Sequence, residues 1–139
     1  MTLVEVMVAA TIFIVAVLGI LMTYIRFFEL AEISRGTFLS LQTIKSKLVD
    51  IRGAAFSQVH FTYNNTTFTV PGLNGIGVIY VDDSNAKLLR VKVTYCWRLS
   101  TGRVIGEDVN LNGVLNTGED KNGNLQIDSP VQIITEIFG

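Results

Sequence analysis

Residues 1–20 read MTLVEVMVAATIFIVAVLGI, and the apolar run continues to Ile25 with Glu5 as its only charge. Leu3 to Ile25 is long enough to cross a bilayer core, which takes about 20 apolar residues. No cationic stretch precedes it and no small-residue cleavage motif follows it, so it does not read as a signal peptide. An ionised carboxylate at the centre of a bilayer costs about 2.5–3.5 kcal/mol, less near an end, and is kept where it has a partner. Glu5 sits at the positive end of the helix dipole, and the α-amino group of Met1 is the candidate partner. The plainer alternatives are a single-pass anchor and a Glu5 that rests at headgroup level.

Working outward, 139 residues suit one compact domain plus this segment, and the excess behind the 49% hydrophobic content sits in the first 25 residues. A net charge of -1 gives no argument for nucleic acid as a partner. The one cysteine, Cys96, excludes an intrachain disulfide, and the one histidine, His60, excludes a His-based zinc cluster. There is no Ser/His/Asp set and no phosphate-binding glycine loop; Gly72, Gly75 and Gly77 read as a turn before a strand. The sequence therefore does not predict an enzyme.

Leu30, Ile33, Thr37, Leu41, Ile44, Leu48 and Ile51 recur at helical spacing, with Arg35, Lys45, Lys47, Asp50 and Arg52 off that stripe. This predicts one helix over about 1–53, ended by Gly53 and two alanines. Gly19 and Gly36 are its weak points, each costing about 1 kcal/mol relative to Ala, and any local melting in a filament is expected to centre near Gly19. His60 is expected in a strand between Val59 and Phe61. Asn64 and Asn65 begin N-x-[ST] sequons, read either as a turn or as glycosylation acceptors. Ile76 to Val81 is an apolar strand, and Asp82 to Asn85 are turn residues. Lys87 to Leu99 alternates: Leu89, Val91, Val93, Tyr95, Trp97 and Leu99 on one face, Arg90, Lys92, Thr94, Cys96 and Arg98 on the other. The apolar face should cover the amphipathic half-helix, and Cys96 falls on the polar face as a free thiol or a subunit contact. Val131 to Phe138 reads as a last strand. The expected fold is α+β: an apolar helix over 1–25, and a domain over 26–139 in which the half-helix lies on a C-terminal antiparallel β-sheet.

Residues 107–128 read EDVNLNGVLNTGEDKNGNLQID. From Asp108 the spacing fits the calcium-loop pattern D-x-[DN]-x-[DN]-G-x5-E. Asp108, Asn110 and Asn112 offer side-chain oxygens, Gly113 the sharp turn, Val114 a backbone carbonyl, Asn116 a direct or water-bridged oxygen, and Glu119 a bidentate carboxylate. Calcium takes six to eight oxygens in flexible geometry. A shift of twelve gives a second copy, with Asp120, Asn122, Asn124 and Asp128 in place of Asp108, Asn110, Asn112 and Asn116. Leu125 stands where the glycine should be and Val131 where the final Glu should be, so the copy reads as the weaker site: it completes the first or holds a second ion loosely. Five carboxylates against Lys121 make the stretch strongly acidic. One or two calcium ions are expected, without an EF-hand fold because no helical pattern flanks the loop. The alternative is a solvated Asn/Gly-rich loop.

The first residues resemble the N-methylated N-terminus of type IV pilins and type II secretion pseudopilins, in which a hydrophobic first residue is followed by Thr or Ser, Leu and a Glu at the fifth place. Met1, Thr2, Leu3 and Glu5 match; the rest of the chain fits that family in architecture only. The resemblance implies that Met1 is the mature first residue, left after a prepilin peptidase removes a leader. It implies that Glu5 neutralises the N-terminal amine of a neighbouring subunit and sets the register of assembly. The subunit would sit in a bacterial inner membrane, then polymerise with copies of itself, through pilus or secretion machinery, into an extracellular filament or a periplasmic pseudopilus. Many pilins have a proline near residue 22, where this chain has Met22, and many staple the C-terminal region with a disulfide; major pseudopilins use calcium there instead. A third reading, a calcium-dependent adhesin or DNA-binding subunit, would use Lys87, Arg90, Lys92 and Arg98.

Overall fold

The computed structural model describes residues 2–139; Met1, and the role expected of it, lie outside the described residues. The chain divides into two compact units, the first through Ser34 and the second from Arg35 to Gly139. One helix, α1 (Leu3–Gly53), belongs to both. Its first part is exposed on every face through Phe28, and it is the one described helix long and apolar enough to cross a membrane. Within it the hydroxyls of Thr11 and Thr23 donate to the carbonyls of Met7 and Gly19, at 2.8 and 2.9 Å. Both polar groups are thereby satisfied without water.

In the single chain the helix is unbroken from residue 14 to 24, Gly19 included. A single glycine costs only about 1 kcal/mol, and Met22 keeps the N–H that a proline would have removed.

From Arg35 on, α1 is amphipathic. Gly36, Ser40, Ile44, Leu48 and Ile51 form its buried stripe. They share the core with the apolar face of β3 (Leu88–Arg98), where Leu89, Val91, Val93, Tyr95 and Trp97 are all at most 4% exposed. Approach is closest at Gly36, where an added Cβ would lie 2.6 Å from Trp97 Nε1. At the far end Arg52 donates to the Thr135 hydroxyl at 2.6 Å.

The sheet is antiparallel. β1 (Thr66–Phe68) pairs with β2 (Gly75–Asn85), and β2 pairs with β3 along its length. The other edge of β3 is shared end to end by β5 (Gln132–Phe138) and the short β4 (Val104–Ile105).

Three local expectations are corrected. His60 is in a helix, α2 (Phe56–Tyr63), because Val59 alone of that segment is buried and one apolar contact per two turns suits a short helix on β2. Asp82 to Asn85 continue β2 through a bulge, and the turn falls at Ala86–Lys87, with Lys87 N–H capped by the Asn85 side chain at 3.0 Å. The second face of β3 is covered, not solvated: Lys92 is 8% exposed, Thr94 and Cys96 0%. What covers it is the acidic loop, through a small core of Val78, Cys96 and Ile127 with Leu111 and Leu115 packed against it.

Because Trp97 is buried, it cannot yield to a side chain at position 36. Gly36→Val is expected to destabilise the domain by about 2 kcal/mol, within the cost of overpacking. Gly19→Ala, with nothing within 4 Å of its added Cβ, should leave domain stability unchanged. Urea titration of the full chain in micelles, followed by the fluorescence of its single tryptophan, measures both.

Candidate functional site

Two places carry the residues singled out by sequence: the first turn of α1 and the loop after β4. At the helix start, Thr2 N–H donates to Glu5 Oε2 at 2.7 Å, and Glu5 N–H lies 3.4 Å from the Thr2 hydroxyl. This reciprocal pair is a capping box. It satisfies N–H groups that the first turn leaves without helical partners. The signal was in the sequence as T-x-x-E, but the expectation that Glu5 serves the terminal amine passed over it.

The loop is built from two turns of one design. In the first, Asp108 Oδ1 accepts Asn112 N–H at 3.1 Å and Oδ2 accepts Gly113 N–H at 2.7 Å. Asn110 accepts Asn112 N–H at 3.0 Å, and Asn112 accepts Val114 N–H at 2.8 Å. In the second, Asp120 accepts Asn124 N–H at 3.1 Å and Leu125 N–H at 3.0 Å; Asn122 accepts Asn124 N–H at 3.1 Å, and Asn124 accepts Gln126 N–H at 2.8 Å. These four bonds to backbone N–H groups recur at an offset of twelve, and in the second turn Gly123 N–H also donates to Asp120 Oδ1 at 2.7 Å.

Both turns need left-handed backbone at their fourth and sixth positions. In the first these are Leu111 (φ 59°) and Gly113 (φ 75°); in the second Gly123 (φ 74°) and Leu125 (φ 60°). Each copy thus gives one such place to glycine and the other to leucine. Leu125 therefore does not spoil the second turn, contrary to the sequence reading. A left-handed leucine costs roughly 1–2 kcal/mol, against which Leu111 has its packing on the loop's core.

The first repeat is closed by Glu119, whose Oε1 accepts Val109 N–H at 3.0 Å and whose Oε2 accepts Asn116 N–H at 2.9 Å. Asn116 also donates to the Val114 carbonyl at 2.8 Å. Asp108 is fully buried and Glu119 is 6% exposed. The structure thus brings together Asp108, Asn110, Asn112, Val114, Asn116 and Glu119 as a set of oxygens around one turn. Asp120, Asn122, Asn124 and Asp128 form a second group. Glu107, not expected as part of the site, joins the two: its carboxylate accepts Lys121 N–H at 3.2 Å and Asp128 N–H at 3.0 Å. Among the described residues no three His, Cys, Asp or Glu side chains converge as a metal cluster. The donor set is mixed carboxylate, amide and carbonyl, chemistry that suits a hard cation.

Of the cations named for the third reading, Lys87 is exposed in the turn between β2 and β3. Arg90 pairs with Glu136 at 3.2 Å on the surface, Arg98 donates to the Val109 carbonyl at 2.9 Å, and Lys92 alone is buried, paired with Asp128. Asn64 accepts Val81 N–H at 2.9 Å and caps α2, while Asn65 is exposed at φ 56°. Burial pushes the Cys96 thiol up to about 11. No protein family, no characterised protein and no solved structure matches the chain.

Burial alone would raise the carboxyls of Glu119 and Asp128. Hydrogen bonds from Asn116, Val109 and Asn110 to Glu119, and from Lys92, Asn122 and Asn124 to Asp128, outweigh it and hold both below their ordinary values of 4.5 and 3.8. A carboxyl lowered by folding contributes stability that is complete above its unfolded pKa and lost as pH falls through the folded one. In chelator, domain stability should therefore stay level in these groups' contribution from pH 7 to about 5 and fall below about 4.5. Urea midpoints across that range check this; a midpoint constant to pH 3 contradicts it.

Proposed function

We propose that the chain is a structural subunit that polymerises through its N-terminal helix into a type IV pilus-like filament, with the helix held in a membrane before assembly. One observation carries the reading. A fully exposed apolar segment with a single carboxylate in its first turn runs, with no break in the helix, into the stripe that fills the core of an antiparallel sheet. Such a segment needs an apolar environment, and lipid and the packed helices of neighbouring subunits are two that it can occupy in turn. Glu5 distinguishes them: in lipid its partner is its own Thr2, and in the filament the terminal amine of a neighbour is added.

Glu5→Gln separates the two roles, because glutamine at this place of a capping box still accepts the N-cap N–H but carries no charge. The variant should reach the membrane fraction at the wild-type level. Filament sheared from the cells should fall by about tenfold or more, the factor carried by about 1.4 kcal/mol. Equal filament yield would reject the pairing, and a chain never found in filaments would reject the whole reading.

Calcium in the first repeat is part of the proposal. Asp108, Asn110, Asn112, Asn116, Glu119 and the Val114 carbonyl would hold the ion, and its charge would offset carboxylates that the domain buries. The neutral asparagines among the donors point to a Kd on the order of 10⁻⁴–10⁻³ M, as in extracellular modules. Isothermal titration with calcium chloride should give that affinity for the wild type and no saturable heat for Glu119→Gln. An ion in this position favours the pseudopilin reading as the second choice, since a single buried cysteine leaves no disulfide for the C-terminal region. Filaments recovered from the cell surface support a pilus, and a pool confined to the periplasm supports a pseudopilus.

A further inference from the structure

The two repeats share a turn but are closed differently. At the twelfth position the first has Glu119, which returns to bond Val109 and Asn116. The second has Val131, a buried side chain with no oxygen to give. Its closing carboxylate comes from the ninth position instead, Asp128, and a cation already meets it there. Lys92, reaching out of β3 from 36 residues away, pairs its ammonium with Asp128 Oδ1. The two side chains are 10% and 18% exposed, and the ammonium lies 5.7 Å from the centre of the Tyr80 ring. The other oxygen, Oδ2, accepts the side-chain amides of Asn122 and Asn124, both at 2.6 Å. Two of the side chains that this repeat would turn toward an ion, Asn122 and Asn124, are thus gathered on Asp128, which carries the chain's own cation, while Asp120 is engaged by the N–H groups of its own turn.

We propose that the Lys92 ammonium is the resident cation of the second repeat. This repeat is then ordered without metal, and the chain takes a single divalent ion, in the first repeat only. The count of one rests on the calcium reading above; the role of Lys92 does not. Two facts argue against a second ion. A divalent cation beside Asp128 would face the ammonium at close range, and like charges there repel strongly in a site shielded from water. Displacing Lys92 would also strip a mostly buried ammonium of its carboxylate, and removing one partner of such a pair is costly.

The test is amide hydrogen exchange on the full chain in micelles, with and without calcium. In chelator the wild-type N–H groups of Ile127 and Asp128, which bond Tyr80 and Glu107, should be protected, and calcium should leave them unchanged. Lys92→Met should lower their protection by roughly tenfold to a hundredfold, the weight of one charge-assisted hydrogen bond. Lys92→Arg should keep it, and Asp128→Asn should lose it. The amides of Val91 and Val93 report whether each variant keeps its sheet; if Lys92→Met does not, Asp128→Asn and Lys92→Arg decide. Wild-type protection that appears only with calcium overturns the proposal, as does equal protection in Lys92→Met. If calcium moves neither repeat while Lys92→Met still loses protection, the calcium reading fails and the role of Lys92 stands.

Discussion

The backbone ladder of α1 is the constraint on which everything else depends. From Leu3 to Gly53 each N–H beyond the first turn has a carbonyl four residues back, so one element keeps its polar backbone satisfied whether its side chains meet lipid, protein or water. That independence lets a single helix carry two unlike sequences. Through Ile25 the residues other than Glu5 are apolar or small on every side, and through Phe28 no core of this chain covers them. From Gly36 to Ile51 only a stripe is apolar, and the sheet covers it. The first turn, where the ladder has no partners of its own, is completed by Thr2 and Glu5. The one charge of the apolar segment is therefore already engaged in the single chain, and any intersubunit role is added to this cap.

The second dependence is on β3, which is buried on both faces. The face toward α1 was legible, because alternation over eleven residues admits one reading and helical spacing in α1 supplies the matching stripe. The opposite face was not. Locally, Arg90, Lys92, Thr94, Cys96 and Arg98 read as a solvated side of a strand. What buries three of them is an acidic loop of which only Leu111, Leu115 and Ile127 pack inward, spread over 17 positions with no period, while Val109, Val114 and Leu125 are exposed. Such a layer exists only through contacts distant in sequence. The same reason hid α2 and β4: each is short and held by its neighbours, with too few residues to show a period.

The loop shows where a residue pattern and a backbone pattern part. The first repeat was legible because its glycine falls at the sixth position, where the motif places it. By the same motif the other copy reads as defective, with Leu125 in that place. In structure the turn has two left-handed positions, and each copy spends its glycine on a different one. Leu111 is repaid by packing against Val78, Cys96 and Ile127. Leu125 is 81% exposed, and no contact offsets its conformation. Its order must come from the backbone bonds to Asp120 and from the group gathered on Asp128.

That places the cohesion of the C-terminal region in charge and not in covalent chemistry. A disulfide would hold the loop at any pH and in any ion. Here the lone thiol is fully buried beneath the loop, with burial raising its pKa to about 11, so near neutral pH it is protonated and unreactive. It serves as a small apolar side chain under Ile127, and Gly106 is kept small by it, since a Cβ there would lie 2.3 Å from its sulfur. With packing limited to that small core, the carboxylates of Glu107, Asp108, Glu119 and Asp128 do the remaining work, accepting N–H groups from loop segments up to 21 residues apart. Carboxylates in this role bring their own repulsion, and each must meet either a donor or a cation. Asp128 has Lys92. Asp108 and Glu119 are more deeply buried, with N–H donors gathered around them, and of the two repeats theirs is the one in which an external cation has the most to neutralise.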